Sequence, residues 1–315
     1  MKKIISLLLA AMLVLSLAAC GAAGNGAETS KDEGFTLTNS IEGVDYEFTY
    51  TSVPQRIVSV ASPATEMLLA LGLQDSIVGY AYQENVIPEK YAEAFNALTQ
   101  ISDGWDISQE LILACEPDFM MFWNGDPIGS YAFLSANNIS TYTLTSDQDG
   151  ATIESVYADF RAMGKIFGIE DKAEAVIADM QEKIAAAKVE TENPVSVVYV
   201  DPYSSEESCF TAGNALVADV FRMAGGENVI NDTTDPWLNV SWETIAASNP
   251  DYIVLGEYDG VDTTETWMEF LKTNPATATM DAVVNGKIVV VGLADLTIGE
   301  RIADTVSALA EAFAK

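Results

Sequence analysis

The chain has 315 residues, 49% of them apolar, enough for two lobes that each bury a core. Its 15 basic and 47 acidic residues give a formal charge of −32, which argues against nucleic acid and against electrostatic attachment to anionic lipid. There is no histidine, which removes His-based triads, HExxH zinc chemistry and His-ligated metal or haem sites.

Lys2 and Lys3 precede an apolar run, Ile4–Leu17, and then Leu17-Ala18-Ala19-Cys20-Gly21. A charged start, a short apolar core and small residues before the cut predict a signal peptide over residues 1–19. Leu-Ala-Ala-Cys resembles the bacterial lipobox, so Cys20 is the expected lipidation site and new N-terminus. Two or three acyl chains, at about 0.8 kcal/mol per buried CH₂, hold a protein on a membrane without a spanning helix. Residues 20–34, rich in Gly, Ala and charge, read as a flexible tether. Of the other cysteines, Cys115 lies in an apolar helical pattern and is expected to be a buried free thiol; no bridge to Cys209 is expected.

Phe35–Tyr50 alternates enough for a hairpin. Arg56–Val60 reads as a buried strand, Met67–Leu71 as a helix closed by Gly72, and Ile77–Tyr80 as a strand. Asp106–Cys115, Phe119–Trp123, Tyr131–Asn137, Thr141–Leu144 and Ile153–Phe167 follow as helix, strand, helix, strand and helix. Glu170–Glu190 then reads as one helix, with Ala173, Val176, Ile177, Met180 and Ile184 at helical spacing and an Asp171/Glu174 capping box; Pro194 forbids continuation. At roughly 1.5 Å per residue it makes a rod of ~30 Å. Beyond it come strand Val195–Val200, helix Leu216–Met223, Gly225-Gly226, helix Thr244–Ala247, strand Tyr252–Leu255, helix Trp267–Leu271, strand Lys287–Val291 and helix Arg301–Phe313. Alternating β and α on both sides predicts an α/β protein of two Rossmann-like lobes, 35–168 and 192–315, with a ligand cleft between them and a single bridging helix at 169–191.

One unit occurs twice. Ser108-Gln109-Glu110-Leu111-Ile112-Leu113-Ala114-Cys115-Glu116-Pro117-Asp118 runs into an apolar strand, as does Ser241-Trp242-Glu243-Thr244-Ile245-Ala246-Ala247-Ser248-Asn249-Pro250-Asp251. Ser, Glu, Ile, Ala, Pro and Asp recur at identical spacing: a capped short helix, a Pro-Asp stop, then a strand. The repeat puts Glu110 and Glu243 at equivalent positions, one per lobe, which suits matched cationic sites on a partner.

Arg56–Tyr80, the two Ser-x-Glu…Pro-Asp units, Gly225-Gly226-Glu227-Asn228-Val229 and Gly299-Glu300-Arg301-Ile302 resemble the helical-backbone substrate-binding lipoproteins of ABC importers for iron–siderophores, haem and cobalamin. The resemblance spans roughly residues 54–313. It implies capture of a ligand between the lobes and delivery to a membrane permease and its ATPase, with Glu110 and Glu243 docking on permease arginines. It also implies an extracytoplasmic protein held at the membrane by its lipid and acting as a monomer. Where that family places its cleft loops lie Tyr80, Tyr82, Trp105, Trp123, Tyr203, Trp237 and Tyr258, and Arg301 stands in the place of a cleft cation, although the family's Gly-Pro-Arg reads Gly-Glu-Arg here. Flat aromatic faces suit a bulky metal chelate, a ferric siderophore or a corrinoid alike. The lipid is the expected covalent group, and no protein-held metal is expected because no ligand cluster appears. No Gly-x-Ser-x-Gly, P-loop or complete Gly-x-Gly-x-x-Gly occurs, so no catalytic residue is expected. The alternatives are a ligand-binding sensor uncoupled from transport and a carboxylate-based lipid-anchored hydrolase.

Overall fold

A computed structural model describes residues 34–41, 44–83, 85–123, 125, 128, 131–258, 264–297 and 299–315. The predicted signal peptide, Cys20 and all of the tether but Gly34 lie outside these residues. No described helix is long and apolar enough to cross a membrane.

Strands β1 (Phe35–Ile41) and β2 (Val44–Tyr50) form the predicted antiparallel hairpin. Behind it, β3 (Ile57–Val60), β4 (Ile77–Ala81), β5 (Gln100–Ser102), β6 (Phe119–Phe122) and β7 (Ser140–Thr143) make an all-parallel sheet in the order β5-β4-β3-β6-β7. The hairpin covers the open β7 edge. The Asn39 amide donates to the Thr143 carbonyl at 2.8 Å and accepts from its N–H at 2.7 Å, and the Tyr50 hydroxyl donates to the Thr141 carbonyl at 2.8 Å.

The second sheet repeats the first. Strands β8 (Val195–Val200), β10 (Gly226–Asn228), β12 (Tyr252–Glu257) and β13 (Ile288–Gly292) are parallel in the order β10-β8-β12-β13, matching β4-β3-β6-β7. An unforeseen antiparallel ribbon, β9 (Ser208–Ala212) with β11 (Trp237–Ser241), is added to this lobe.

The helices are α1 (Ser62–Ala70), α2 (Ala92–Asn96), α3 (Gln109–Ala114), α4 (Tyr131–Ala136), α5 (Ile153–Phe167), α6 (Glu170–Ala187), α7 (Leu216–Met223), α8 (Trp242–Ser248), α9 (Thr264–Thr273), α10 (Asp281–Val284), α11 (Leu293–Thr297) and α12 (Arg301–Phe313). Helix α1 starts at Ser62, ahead of the expected Met67, because Pro63 suits a first helical turn. Helix α3 is shorter than expected because Ser108, not Asp106, caps it.

The long helix is α6, 18 residues or about 27 Å. Its expected capping box does not form. The N-cap is Ile169, whose carbonyl accepts from Lys172 and Ala173 directly after the left-handed Gly168 that closes α5; Glu174 instead pairs with Arg161 of α5 at 2.7 Å. Ala173, Ile177, Met180 and Ile184 are buried, and α6 packs on α5 and α12. One apolar cluster runs through α1, α5, α6, α7 and α12 and strands of both sheets, so the bridging helix is part of a shared core and not a free rod. Cys115 and Cys209 are free thiols, but Cys115 is half-buried rather than buried, since the short α3 leaves it at the helix end.

Candidate ligand cleft between the lobes

In parallel sheets the loops at the carboxyl ends of the strands build the binding crevice. Here these loops carry Tyr82 after β4, Trp105 after β5, Trp123 after β6, Asp201 and Tyr203 after β8, and Tyr258 after β12. The two sets of loops meet. The Trp237 indole N–H donates to Asp147 across the lobes at 2.8 Å, and the Gly150 N–H donates to the Thr234 carbonyl at 2.8 Å.

On the first lobe Tyr82 and Trp105 stand edge to face, with centroids 5.6 Å apart. Tyr82 has φ +52°, and Ala61, joined to the end of β4 through its N–H on Ala81, has φ 74° and ψ 147°; such conformations cost side-chain-bearing residues of order 1–3 kcal/mol and cluster at binding sites. On the second lobe Tyr203 and Tyr258 stand edge to face at 4.9 Å, and Trp237 stacks on Phe210 at 6.0 Å and meets Tyr199 edge-on at 5.7 Å. Trp123, Trp237 and Tyr258 are half-buried against the shared core, and the Trp123 indole N–H is buried without an acceptor among the described residues. Burial, and then the nearby Asp201, push the Tyr258 phenol well up; Tyr82, on the other lobe, is close enough to add to that shift.

Asp201 escaped the sequence reading. It is 1% exposed and accepts from the Tyr203 N–H at 2.8 Å, the Tyr199 hydroxyl at 3.0 Å and the Tyr258 hydroxyl at 3.3 Å. Burial pushes its carboxyl up to about 6 against the pull of those donors. The signal that could have found it is an acid directly after a continuous apolar strand.

Two predicted residues take other places. Tyr80 lies within β4, and its ring packs on Phe95 of α2 with centroids 4.8 Å apart. Arg301 is not a free cation. Its guanidinium donates to both oxygens of Glu66, to Asp295 at 3.0 Å and to the Val86 carbonyl at 3.2 Å. Glu66 is 2% exposed and needs a counter-charge, which explains the capture; burial raises its carboxyl and Arg301 pulls it back. Next to Arg301, Glu300 pairs with Lys90 and accepts from the Tyr91 hydroxyl at 2.5 Å.

The repeat is a repeat in three dimensions. Ser108 and Ser241 share φ −69° and accept from the N–H three residues on, at 3.3 and 3.1 Å. Ile112 and Ile245 are fully buried, and Glu116 and Asn249 are both left-handed, with φ 48° and 41°. Asp118 accepts from the Gln55 and Arg56 N–H groups just before β3, and Asp251 from Ser196 in β8, the equivalent strand. Glu110 and Glu243 therefore occupy equivalent second positions of capped helices, exposed and outside any ion pair among the described residues. No group of metal-ligating acids and cysteines gathers among the described residues.

Two duplicated parallel-sheet lobes with a cleft at their strand ends define a two-lobed binding protein. The pattern of the periplasmic binding protein family matches residues 57–292, and the chain belongs to that family. It is 26% identical over 208 residues, 65% of this chain and 72% of the other, to a vitamin B12-binding protein of Pectobacterium carotovorum. Among solved structures, a periplasmic binding protein from Veillonella parvula superposes with TM-score 0.82 at 28% identity, covering 89% of this chain and 97% of that one. A structure described as an ABC-type Fe3+-hydroxamate transport system from Saccharomonospora viridis superposes with TM-score 0.75 at 24% identity, over 89% and 100% of the two chains, a likeness of fold.

Proposed function

We propose that this chain is the extracytoplasmic receptor of an ABC importer, held at the membrane by lipid on Cys20. It captures a bulky metal chelate, a corrinoid or a ferric siderophore, and delivers it to a permease and its ATPase. The observation that carries this reading is the pairing of strand-end aromatics from both lobes with one exposed carboxylate at the same place on each lobe. Tyr82, Trp105, Trp123, Tyr203, Trp237 and Tyr258 supply flat faces for the ligand. Glu110 and Glu243 supply two charges at a separation fixed by the shared core. The relative named for vitamin B12 supports the corrinoid side of the ligand class. Arg301 acts in this scheme as a link between lobes.

The test is titration with cyanocobalamin and with a ferric hydroxamate, followed by transport with Glu110→Ala/Glu243→Ala. A ligand at 100 times its Kd stabilises the fold by about 2.7 kcal/mol. The expected result is stabilisation by one of the two chelates, with transport lost and ligand affinity retained in the double variant. No stabilisation by either would overturn the ligand class, and lost affinity would overturn the docking role.

A further inference from the structure

The two docking helices have the same backbone and different outer faces. With about 100° of turn per residue, the side chain opposite the buried isoleucine is the glutamate or its neighbour four residues on. On α3, Ile112 is fully buried and Glu110 and Ala114 point outward. Leu113 lies about 60° to one side of Glu110 and Leu111 about 100° to the other. Each of these leucines is 43% exposed, and no other leucine is among the exposed large apolar residues of the described chain. On α8 the equivalent positions flanking Glu243 are Ala246, half-buried, and Thr244, whose hydroxyl is bonded to Ser241 at 2.9 Å.

We infer that the partner's two docking sites are chemically unlike. Opposite Glu110 lies a basic side chain set in an apolar rim, and opposite Glu243 a basic side chain in a small, polar one. This rests on the docking role proposed above and adds the composition of the partner. Charge complementarity selects that partner: a chain of formal charge −32 presents, between leucines, a carboxylate outside any ion pair among the described residues, so the occupant must be cationic at its centre and greasy at its edge. Two consequences follow from the chemistry. Contacts made by apolar area survive salt, whereas an exposed ion pair is screened within about 8 Å at physiological ionic strength. Unlike rims also select one of the two orientations that the internal repeat would otherwise permit.

The experiment measures binding of the full chain to the permease–ATPase complex in nanodiscs, at low and high salt. The variants are Leu111→Ser/Leu113→Ser, Glu110→Gln, Glu243→Gln and the graft Thr244→Leu/Ala246→Leu; thermal melting serves as the folding control, above all for the graft, since Ala246 is half-buried while the other sites are exposed. The leucine variant is expected to weaken binding at least tenfold, with a loss that persists at high salt, while the loss from Glu243→Gln fades there. The graft is expected not to tighten binding. A leucine variant that binds like the parent while the Gln variants weaken would overturn the apolar rim and leave the docking role standing. A graft that tightens binding would show like rims and overturn the asymmetry. Gln variants that bind like the parent would overturn the docking role itself.

Discussion

Arg301 at the start of α12 lays its guanidinium on the carboxylate of Glu66, 235 positions earlier on the other lobe, with Nη2 2.6 Å from Oε2. Glu66 is almost wholly buried, so this is one partner of a buried charge and not a surface pair. Removing one member of such a pair costs roughly 3–5 kcal/mol, because the other is left uncompensated. Arg301→Met is therefore expected to lower stability to urea by about that amount at pH 8. Glu66→Gln in the same background should recover much of the loss. Burial already raises the Glu66 carboxyl and Arg301 opposes this, so the single variant raises it further. Glu66 then takes a proton on mild acidification, and the deficit shrinks as pH falls. A single variant within 1 kcal/mol of the parent at pH 8 would show that Asp295 and solvent suffice.

Asp201 makes the second case for pH. Its carboxyl titrates near 6 in the folded state and near its ordinary 3.8 when unfolded. Between those values the folded protein holds a proton that the unfolded chain has released. The contribution of this group to stability is therefore largest at low pH, falls as pH rises through the window and is flat above about 6. By linkage the fall is about 3 kcal/mol. Asp201→Asn keeps an acceptor for Tyr258 and removes the titration. The stability difference between variant and parent should shift toward the variant by about that amount between pH 4 and pH 7.5. A difference independent of pH would contradict the buried, tyrosine-ringed carboxylate.

Gly164 sets two ordinary effects against each other. It lies inside α5, where Gly→Ala ordinarily gains about 1 kcal/mol of helix propensity. A Cβ there would sit 2.8 Å from the Cβ of Ala173 on α6, with the Glu170 backbone 3.2 Å away. Overpacking of that kind costs about 1–3 kcal/mol, so Gly164→Ala is expected to destabilise on balance. Ala173→Gly in the same chain vacates the contact, and the double-variant cycle should show favourable coupling. Additive losses would mean that the helices part without strain.

Continuous apolar strands and strongly periodic helices announce themselves, and α5, α7, α12 and β8 begin and end where the residues imply. The unforeseen elements are those that local pattern does not specify. The β9–β11 ribbon pairs Ser208–Ala212 with Trp237–Ser241, mixed segments whose strand character comes from each other. The aromatics were singled out through the family resemblance, and Tyr82, Trp105, Trp123, Tyr203 and Tyr258 do lie just after parallel strands. Arg301 was legible as a charge at a helix start, yet its partner was not, since nothing within a few residues of either position indicates a bond spanning the fold. Tyr80 shows the converse limit: a tyrosine one residue short of a strand end faces a helix, and composition alone does not distinguish the two sides.

The lobes are fastened on both flanks of the cleft, and this bears on how far they move. After the edge strand β7, Asp147 holds Trp237, Gly150 holds Thr234, and the Ile153 N–H at the start of α5 donates to Asp219 of α7 at 2.9 Å. Toward the opposite edge, beyond β3 and β4, Glu66 holds Arg301 and Tyr91 holds Glu300. Behind both runs the continuous core through α6. A large hinge rotation would break at least one row of these bonds and shear packed side chains, so ligand closure is expected to be a small adjustment of the loops. Structures with and without bound chelate should differ by only a slight rotation of one lobe on the other, and the bonded amides of Gly150 and Ile153 are expected to exchange slowly in both states. A rotation of tens of degrees, as in hinge-type domain closure, would show that the two rows act as releasable clasps and that α6 bends. The partner's sensing of the loaded state would then rest on a changed separation of Glu110 and Glu243. With the rows intact that separation is constant, and under the proposed docking role the loaded state would be read from the loops around the ligand.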